Sequence, residues 1–170
     1  DCSLDCEPDT FGHNWNIAEI MSKSGMKYYY HCSAYDGHYV YRWQSRSHAE
    51  AIVFRDPKGY NATVSCEHIP YSVQFCNDAS IMDMLYLYGV GDHGGGPRRA
   101  DVEQIRAMET WRGAPRTAYD TPEAYFRNHV EPYQDRFPIH HGALGGLTNT
   151  SYLSQARNKQ MNRECENLLE

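Results

Sequence analysis

Two acidic loops hold the side chains best suited to chemistry in this sequence. In the first, Asp9 lies just ahead of a predicted helix, where free backbone N–H groups and the helix dipole favour an ionised carboxylate. An ionised carboxylate can act as a nucleophile or as a metal ligand. The alternative is a structural role, in which Asp9 caps the helix or closes a turn, and the residues around it leave both open.

The second loop, residues 89–97, is rich in glycine and holds Asp92 and His93 between glycines. Consecutive glycines lose much backbone entropy on folding, so they are typical of loops that pass close to a ligand or adopt positive φ. The loop is therefore either functional or a tight structural turn. A phosphate-binding loop is disfavoured, because no Lys-Ser or Lys-Thr pair follows the glycines and Asp92 would repel phosphate.

The 9 histidines and 6 cysteines form no recognisable catalytic or metal-binding motif. HxxxH, HExxH, CxxC and GxSxG are all absent from the sequence. His140 and His141 are adjacent, and adjacent side chains cannot both face one point on a regular element, so at most one of them would be a ligand. We expect the cysteines to be free thiols and mostly buried.

The first half of the chain should form strands around one helix. Residues 14–24 place apolar side chains on one face of a helix, and Gly25 stands where a helix ends in the left-handed conformation. Aromatic and β-branched residues predict strands at 28–32, 39–43 and 51–54. Residues 80–90 predict a further buried element that leads into the glycine-rich loop.

The second half of the chain should be helical. Apolar residues at three-residue steps predict a helix over residues 100–111. Thr121 followed by Pro122 is a helix start, and this helix should run to about Val130 before Pro132 interrupts it. A last helix is predicted over residues 152–170, and together the elements indicate an α/β fold.

Composition and charge limit the partners of the chain. The 170 residues, 41% apolar and 22% charged, suffice for one domain with its own core. The net charge of −6 and the lack of a basic cluster argue against nucleic acid. No apolar stretch reaches the roughly 18 residues that cross a bilayer, so no membrane partner is predicted. Aromatic residues reach 13%, and such rings fill cores or stack on sugars.

Taken in chain order, several segments resemble the α-mannosidases of glycoside hydrolase family 38. Residues 8–14 and the following Ser24-Gly25-Met26 are similar to the family's Pro-Asp-Ser-Phe-Gly-x-Asn segment and its Ser-Gly-Ile. Residues 41–44 resemble its aromatic strand, residues 54–61 the following loop, and residues 88–97 its glycine-rich acid loop, which is the most specific match. Residues 135–138 and 152–166 resemble the passage from its barrel into its helical bundle.

The resemblance implies a retaining hydrolase of terminal α-linked mannose, acting on an α-mannoside or a mannose-containing glycan. Its fold would be the C-terminal part of a distorted (β/α) barrel followed by helices of a three-helix bundle. Residues 1–140 would belong to the catalytic barrel domain and residues 141–170 to the start of the helical middle domain. The family's zinc ion binds vicinal hydroxyls of the sugar, and a homo-oligomer is left open.

Matching positions then give expected roles to individual residues. Asp9 would be the nucleophile and a zinc ligand, and Asp92 the acid/base catalyst, each at the C-terminal end of a neighbouring strand. In a retaining mechanism the two carboxyl groups lie about 5–5.5 Å apart. The positions expected to contact the substrate are Trp43, His93 and Tyr152.

The sequence also departs from the family pattern. The family's His-x-Asp metal-binding motif has no counterpart here, and Thr148 stands where many members have a further metal-binding histidine. His140 or His141 could take over that ligand position. We expect the 170 residues to be inactive alone, and the alternative hypothesis is a catalytically degenerate homologue that binds carbohydrate or serves as a structural module.

Overall fold

The computed structural model describes residues 2–32, 37–92, 94–145 and 155–169. The helix that begins at Pro122 continues into a π-helical turn over Phe126–Val130 and a 3₁₀ segment over Glu131–Arg136. In chain order, the strands and α-helices are β1 (Leu4–Glu7), α1 (Ile17–Lys23), β2 (Tyr28–His31), β3 (Val40–Gln44), β4 (Glu50–Arg55), α2 (His68–Ala79), α3 (Arg99–Met108), α4 (Pro122–Tyr125), β5 (Ile139–His141) and α5 (Ala156–Leu169).

The strands form one mixed sheet in the order β1-β2-β4-β3-β5. β1, β2 and β4 are parallel to one another, β3 is antiparallel to β4, and β5 is parallel to β3. At the carboxyl ends of the three parallel strands, Glu7 lies opposite His31 and His31 opposite Arg55. These strands therefore end at the same level, and the loops that follow them leave the sheet along one edge.

The two faces of the sheet carry separate apolar clusters, because successive side chains of a strand point to opposite faces. On the first face, Tyr28 and Phe54 pack with Phe126 and with Phe75 of α2. On the second face, eight buried residues pack together: Ala18, Met21, Tyr29, Tyr41, Trp43, Ala51, Val53 and Leu144. Burial on both faces is typical of parallel sheets and explains why apolar residues stand next to one another in β2 and in the middle of β4.

Several local predictions are confirmed. The three predicted strands correspond to β2, β3 and β4, and two of the predicted helices correspond to α1 and α3. Gly25 has φ +77°, the left-handed conformation expected after a helix. The hydroxyl of Thr121 accepts a hydrogen bond from the backbone N–H of Ala124 at 3.2 Å, as expected of an N-cap.

Other expectations differ from the structure. α2 was not predicted, since much of its sequence is β-branched, aromatic or short and polar; burial of Phe75 and Ala79 against the first face stabilises it. Residues 81–88 form neither strand nor helix, although they were predicted as a buried element. All six cysteines are free, but four are exposed and two half-buried, so the expectation of mostly buried thiols is wrong.

The larger architecture is an open α/β sheet with helices on it, and its described part shows neither barrel closure nor a helical bundle. In α5 no residue is buried. Within the described ranges, the structure contains no helix that is both long enough and apolar enough to span a bilayer.

Two histidines lie inside the second face of the sheet. His13 and His31 are 2% and 0% exposed, and their ring centroids are 5.2 Å apart. His31 shares a hydrogen bond of 2.9 Å with the Tyr41 hydroxyl, and His13 shares one with Tyr29. Burial, followed by the charges of His13 and Arg55, lowers the pKa of His31 to about 3.

This buried imidazole should make the domain sensitive to acid. A histidine that is neutral when folded and has an ordinary pKa when unfolded contributes stability above the unfolded pKa, and loses it as the pH falls towards the folded one. Because the pKa of His31 is about 3 in the folded state, lowering the pH from 7 to 5 should reduce the free energy of unfolding by about 2 kcal/mol. His31→Gln in the full-length protein should remove most of that pH dependence in denaturant unfolding followed by tryptophan fluorescence; an unchanged pH dependence would contradict it.

Candidate active site

A cavity of about 300 Å3 opens at the edge of the sheet where the three parallel strands end. Its walls come from the loops after β1, β2 and β4 and from the glycine-rich loop. In α/β sheets, ligands bind outside the carboxyl ends of the strands. The residues that line it are Pro8, Asp9, Thr10, Phe11, Cys32, Lys58, Gly59, Tyr60, Asn61 and Asp92.

Asp9 follows the end of β1 by two residues, and its side chain is exposed in the cavity. The helix after it begins only at Ile17, with Asn16 as the N-cap residue. Asp9 therefore does not cap α1, and the proposed stabilisation by the helix dipole does not apply at this distance.

Asp92 lies in the glycine-rich loop, which closes on itself through backbone hydrogen bonds. The N–H of Val90 donates to Gly96 O at 2.8 Å, and the N–H of Gly95 donates back to Val90 O at 2.9 Å. Asp92 has φ +44°, a left-handed conformation that is rare for residues with a side chain. It does not follow a strand, contrary to the prediction for this carboxylate, because residues 81–88 are irregular.

Tyr60 connects the two carboxylates. The pKa of its phenol is raised, first by desolvation and then by the charges and side-chain hydrogen bonds of Asp9 and of Asp92. Its ring packs on the backbone of Gly91, where an added Cβ would lie 2.7 Å from Cδ2 of Tyr60. The loop after β1, the loop after β4 and the glycine-rich loop thus bring Asp9, Tyr60 and Asp92 into the wall of one cavity.

Of the three positions expected to contact the substrate, the structure describes only Trp43. Trp43 is completely buried on the second face of the sheet, where its indole N–H donates to Gly142 O at 2.8 Å and its ring lies 5.4 Å from that of Tyr29. The structure thus places Trp43 in the core. His93, Tyr152 and Thr148 lie outside the described residues.

Sequence reasoning missed several side chains of the cavity. Tyr60 and Asn61 belong to a segment noticed only for its resemblance to the family, and their contact with Gly91 depends on tertiary structure. Phe11, two residues after Asp9, is 41% exposed and presents an aromatic surface to the cavity. Exposed aromatic rings are suited to stacking on the apolar face of a sugar.

The cavity does not by itself provide a complete metal site. In the ranges that the structure describes, no three His, Cys, Asp or Glu side chains are close enough to hold a metal ion together. His140 is half-buried in β5, where its ring lies 5.9 Å from the ring of Tyr41. Asp9 fits a metal as one anionic oxygen ligand, and a full ligand set requires further groups.

Curated proteins similar to this chain include α-mannosidases. "Alpha-mannosidase G" of Dictyostelium discoideum is 25% identical over 94% of this chain and 15% of its own length. "Alpha-mannosidase 2C1" of Homo sapiens is 26% identical over 99% of this chain and 17% of its own length. The chain therefore spans about one sixth of the curated relatives it matches.

A solved structure shows the same fold. The crystal structure of an alpha-mannosidase from Enterococcus faecalis V583 matches with a TM-score of 0.64 at 14% identity, over 84% of this chain and 18% of that chain. Residues 2–143 match the model of the glycosyl hydrolases family 38 N-terminal domain, which also covers both acidic loops of the cavity. The chain belongs to glycosyl hydrolase family 38.

Proposed function

We propose that the full-length protein containing this chain is an α-mannosidase, a retaining glycoside hydrolase that releases terminal α-linked mannose. The observation that carries the proposal is that Asp9 and Asp92 line one cavity together with Tyr60, beyond the ends of parallel strands. Family membership and relatives named as α-mannosidases support a mannose-containing glycan as the substrate. Retention of both carboxylates favours the enzyme over a degenerate binding module.

Asp9 is the nucleophile in this proposal. Its exposed carboxylate attacks the anomeric carbon and forms a covalent glycosyl-enzyme, while the bond to the leaving group breaks. Tyr60 suits the pair, because a phenol hydroxyl donates one hydrogen bond and accepts others. It can donate to one carboxyl group of the pair and accept from the other, and retaining hydrolysis needs one of the two ionised and the other protonated.

Asp92 is the acid/base catalyst. Its proton passes to the glycosidic oxygen as the leaving group departs, and its carboxylate then takes a proton from the water that hydrolyses the glycosyl-enzyme. Because Asp92 lines the same cavity as Asp9, its carboxyl is assigned to the leaving-group side of a sugar that Asp9 attacks.

Asp9 is also proposed as one ligand of a zinc ion, with the remaining ligands supplied by parts of the protein outside the described residues. Such an ion would bind vicinal hydroxyls of the sugar and fix its orientation. Since the chain spans about one sixth of its relatives, we propose that residues 1–140 form part of a distorted barrel and residues 141–170 begin a helical domain. The full exposure of α5 supports its packing against other parts of the protein.

Asp9→Ala in the full-length protein should abolish hydrolysis of an aryl α-mannoside and reduce the zinc content. The substitution removes both the attacking carboxylate and an anionic metal ligand. Turnover and metal content should be measured beside Asp78→Ala, which removes an exposed aspartate of α2 away from the cavity. Unchanged turnover in Asp9→Ala would contradict the nucleophile assignment.

Asp92→Ala should retain zinc, and its loss of kcat/KM should depend on the leaving group of the substrate. Proton transfer typically contributes about 10²- to 10⁴-fold, so kcat/KM for an unactivated α-mannoside should fall by about that factor. For a dinitrophenyl α-mannoside, whose phenolate leaves without being protonated, kcat/KM of the variant should fall far less. An equal loss on both substrates would exclude Asp92 as the acid.

A further inference from the structure

The glycine-rich loop is attached to a short segment that follows β4, residues 61–64, which we call the docking segment. The N–H of Gly89 donates to Ala62 O at 2.7 Å, and the Tyr86 hydroxyl donates to Thr63 O at 2.9 Å. The N–H of Gly91 donates to the side-chain Oδ1 of Asn61 at 3.0 Å. Three bonds therefore fix the chain on the side of the loop that precedes Asp92.

A buried carboxylate attaches the other side of the loop to the same docking segment. Asp101 in α3 is 1% exposed, and its Oδ1 accepts the N–H of Val64 at 3.0 Å. The Asp101 carboxylate also accepts a hydrogen bond from the backbone N–H of Arg98 at 3.2 Å. The guanidinium of Arg98 donates two more, from Nε at 3.0 Å and from Nη2 at 2.9 Å. Hydrogen bonding to the Arg98 side chain is the first cause that holds the pKa of Asp101 well below its usual range.

Asn61 is the attachment nearest to the carboxylate that reacts. Its Oδ1 accepts a hydrogen bond from the backbone N–H of Gly91, the residue directly before Asp92, and its side chain also lines the cavity. Asp92 adopts a left-handed conformation, which persists only where surrounding contacts enforce it. The amide oxygen of Asn61 supplies such a contact without adding a third negative charge beside the two carboxylates.

We propose that Asn61 is a positioning residue that fixes the glycine-rich loop and so holds the Asp92 carboxyl against Tyr60 and the sugar. The inference rests on the proposed role of Asp92 as the acid. Asn61 does not transfer a proton itself; it acts through the Gly91 amide. Loss of this bond should therefore impair protonation of the leaving group and spare the attack by Asp9.

Hydrogen exchange of the full-length protein tests the structural half of this proposal. Asn61→Leu removes the acceptor, so exchange of the Gly91 amide should become about five- to tenfold faster. Asn61→Asp keeps an oxygen in the same place and should exchange close to the wild-type rate. Equal exchange in the wild type and Asn61→Leu would overturn the proposal.

Leaving-group dependence tests the catalytic half. Asn61→Leu should lower kcat/KM for an unactivated α-mannoside about tenfold, and change it less than about threefold for a dinitrophenyl α-mannoside. Thr121→Ala is the matched control, because it removes a side-chain oxygen that accepts a backbone N–H away from the cavity, and it should change neither value.

The outcomes separate this inference from the proposed function. If Asp92→Ala is selective for the unactivated substrate but Asn61→Leu reduces both substrates equally or neither, the positioning role is overturned while the mannosidase assignment stands. If the wild-type protein hydrolyses neither substrate, the proposed function fails and the catalytic role of Asn61 with it. Hydrogen exchange then still decides whether Asn61 fixes the loop.

Discussion

The common register of β1, β2 and β4 is the constraint on which the site depends. Glu7, His31 and Arg55 lie opposite one another, so three chain segments leave the sheet at one level and their loops converge. This register is enforced by burial on both faces, because a shift of one residue would exchange the faces of every side chain in a strand. The aromatic residues of β2 would then lose their partners on both sides of the sheet.

The glycine-rich loop reaches the cavity by a different route. Asp92 follows no strand, and its place is set by contacts of the loop with the docking segment and Tyr60. The glycines allow these contacts: an added Cβ at Gly91 would lie 2.7 Å from the Tyr60 ring, and one at Gly95 would lie 2.7 Å from Cβ of Val90. The loop is thus a tight turn and a wall of the cavity at once, so the two alternatives drawn from its composition do not exclude each other.

Local sequence patterns were sufficient to predict those strands and helix ends that depend mainly on their own residues. β2, β3 and β4 are rich in aromatic and β-branched residues, and Gly25 and Thr121 mark helix ends by their own chemistry. α2 could not be predicted, since its residues favour a helix only when Phe75 is buried on the sheet.

Only part of the candidate site could be predicted from the sequence. Asp9 and Asp92 were assigned by resemblance, whereas the cavity that they share with Tyr60 and Asn61 arises from tertiary contacts between residues about 30 or more positions apart. Trp43 was expected at the substrate from the resemblance of residues 41–44 to the family's aromatic strand. The pleat of β3 instead directs it into the core of the second face.

The central claim is that one sugar ring is shared by Asp9 as nucleophile and Asp92 as acid. Trapping the covalent intermediate tests this most directly. The full-length protein would be incubated with a fluorinated α-mannosyl fluoride, whose good leaving group permits attack while its ring fluorine slows hydrolysis of the glycosyl-enzyme. Peptide mass spectrometry should find the sugar on the Asp9 carboxyl; a sugar on Asp92, or hydrolysis of the reagent with inversion and no label, would contradict the account.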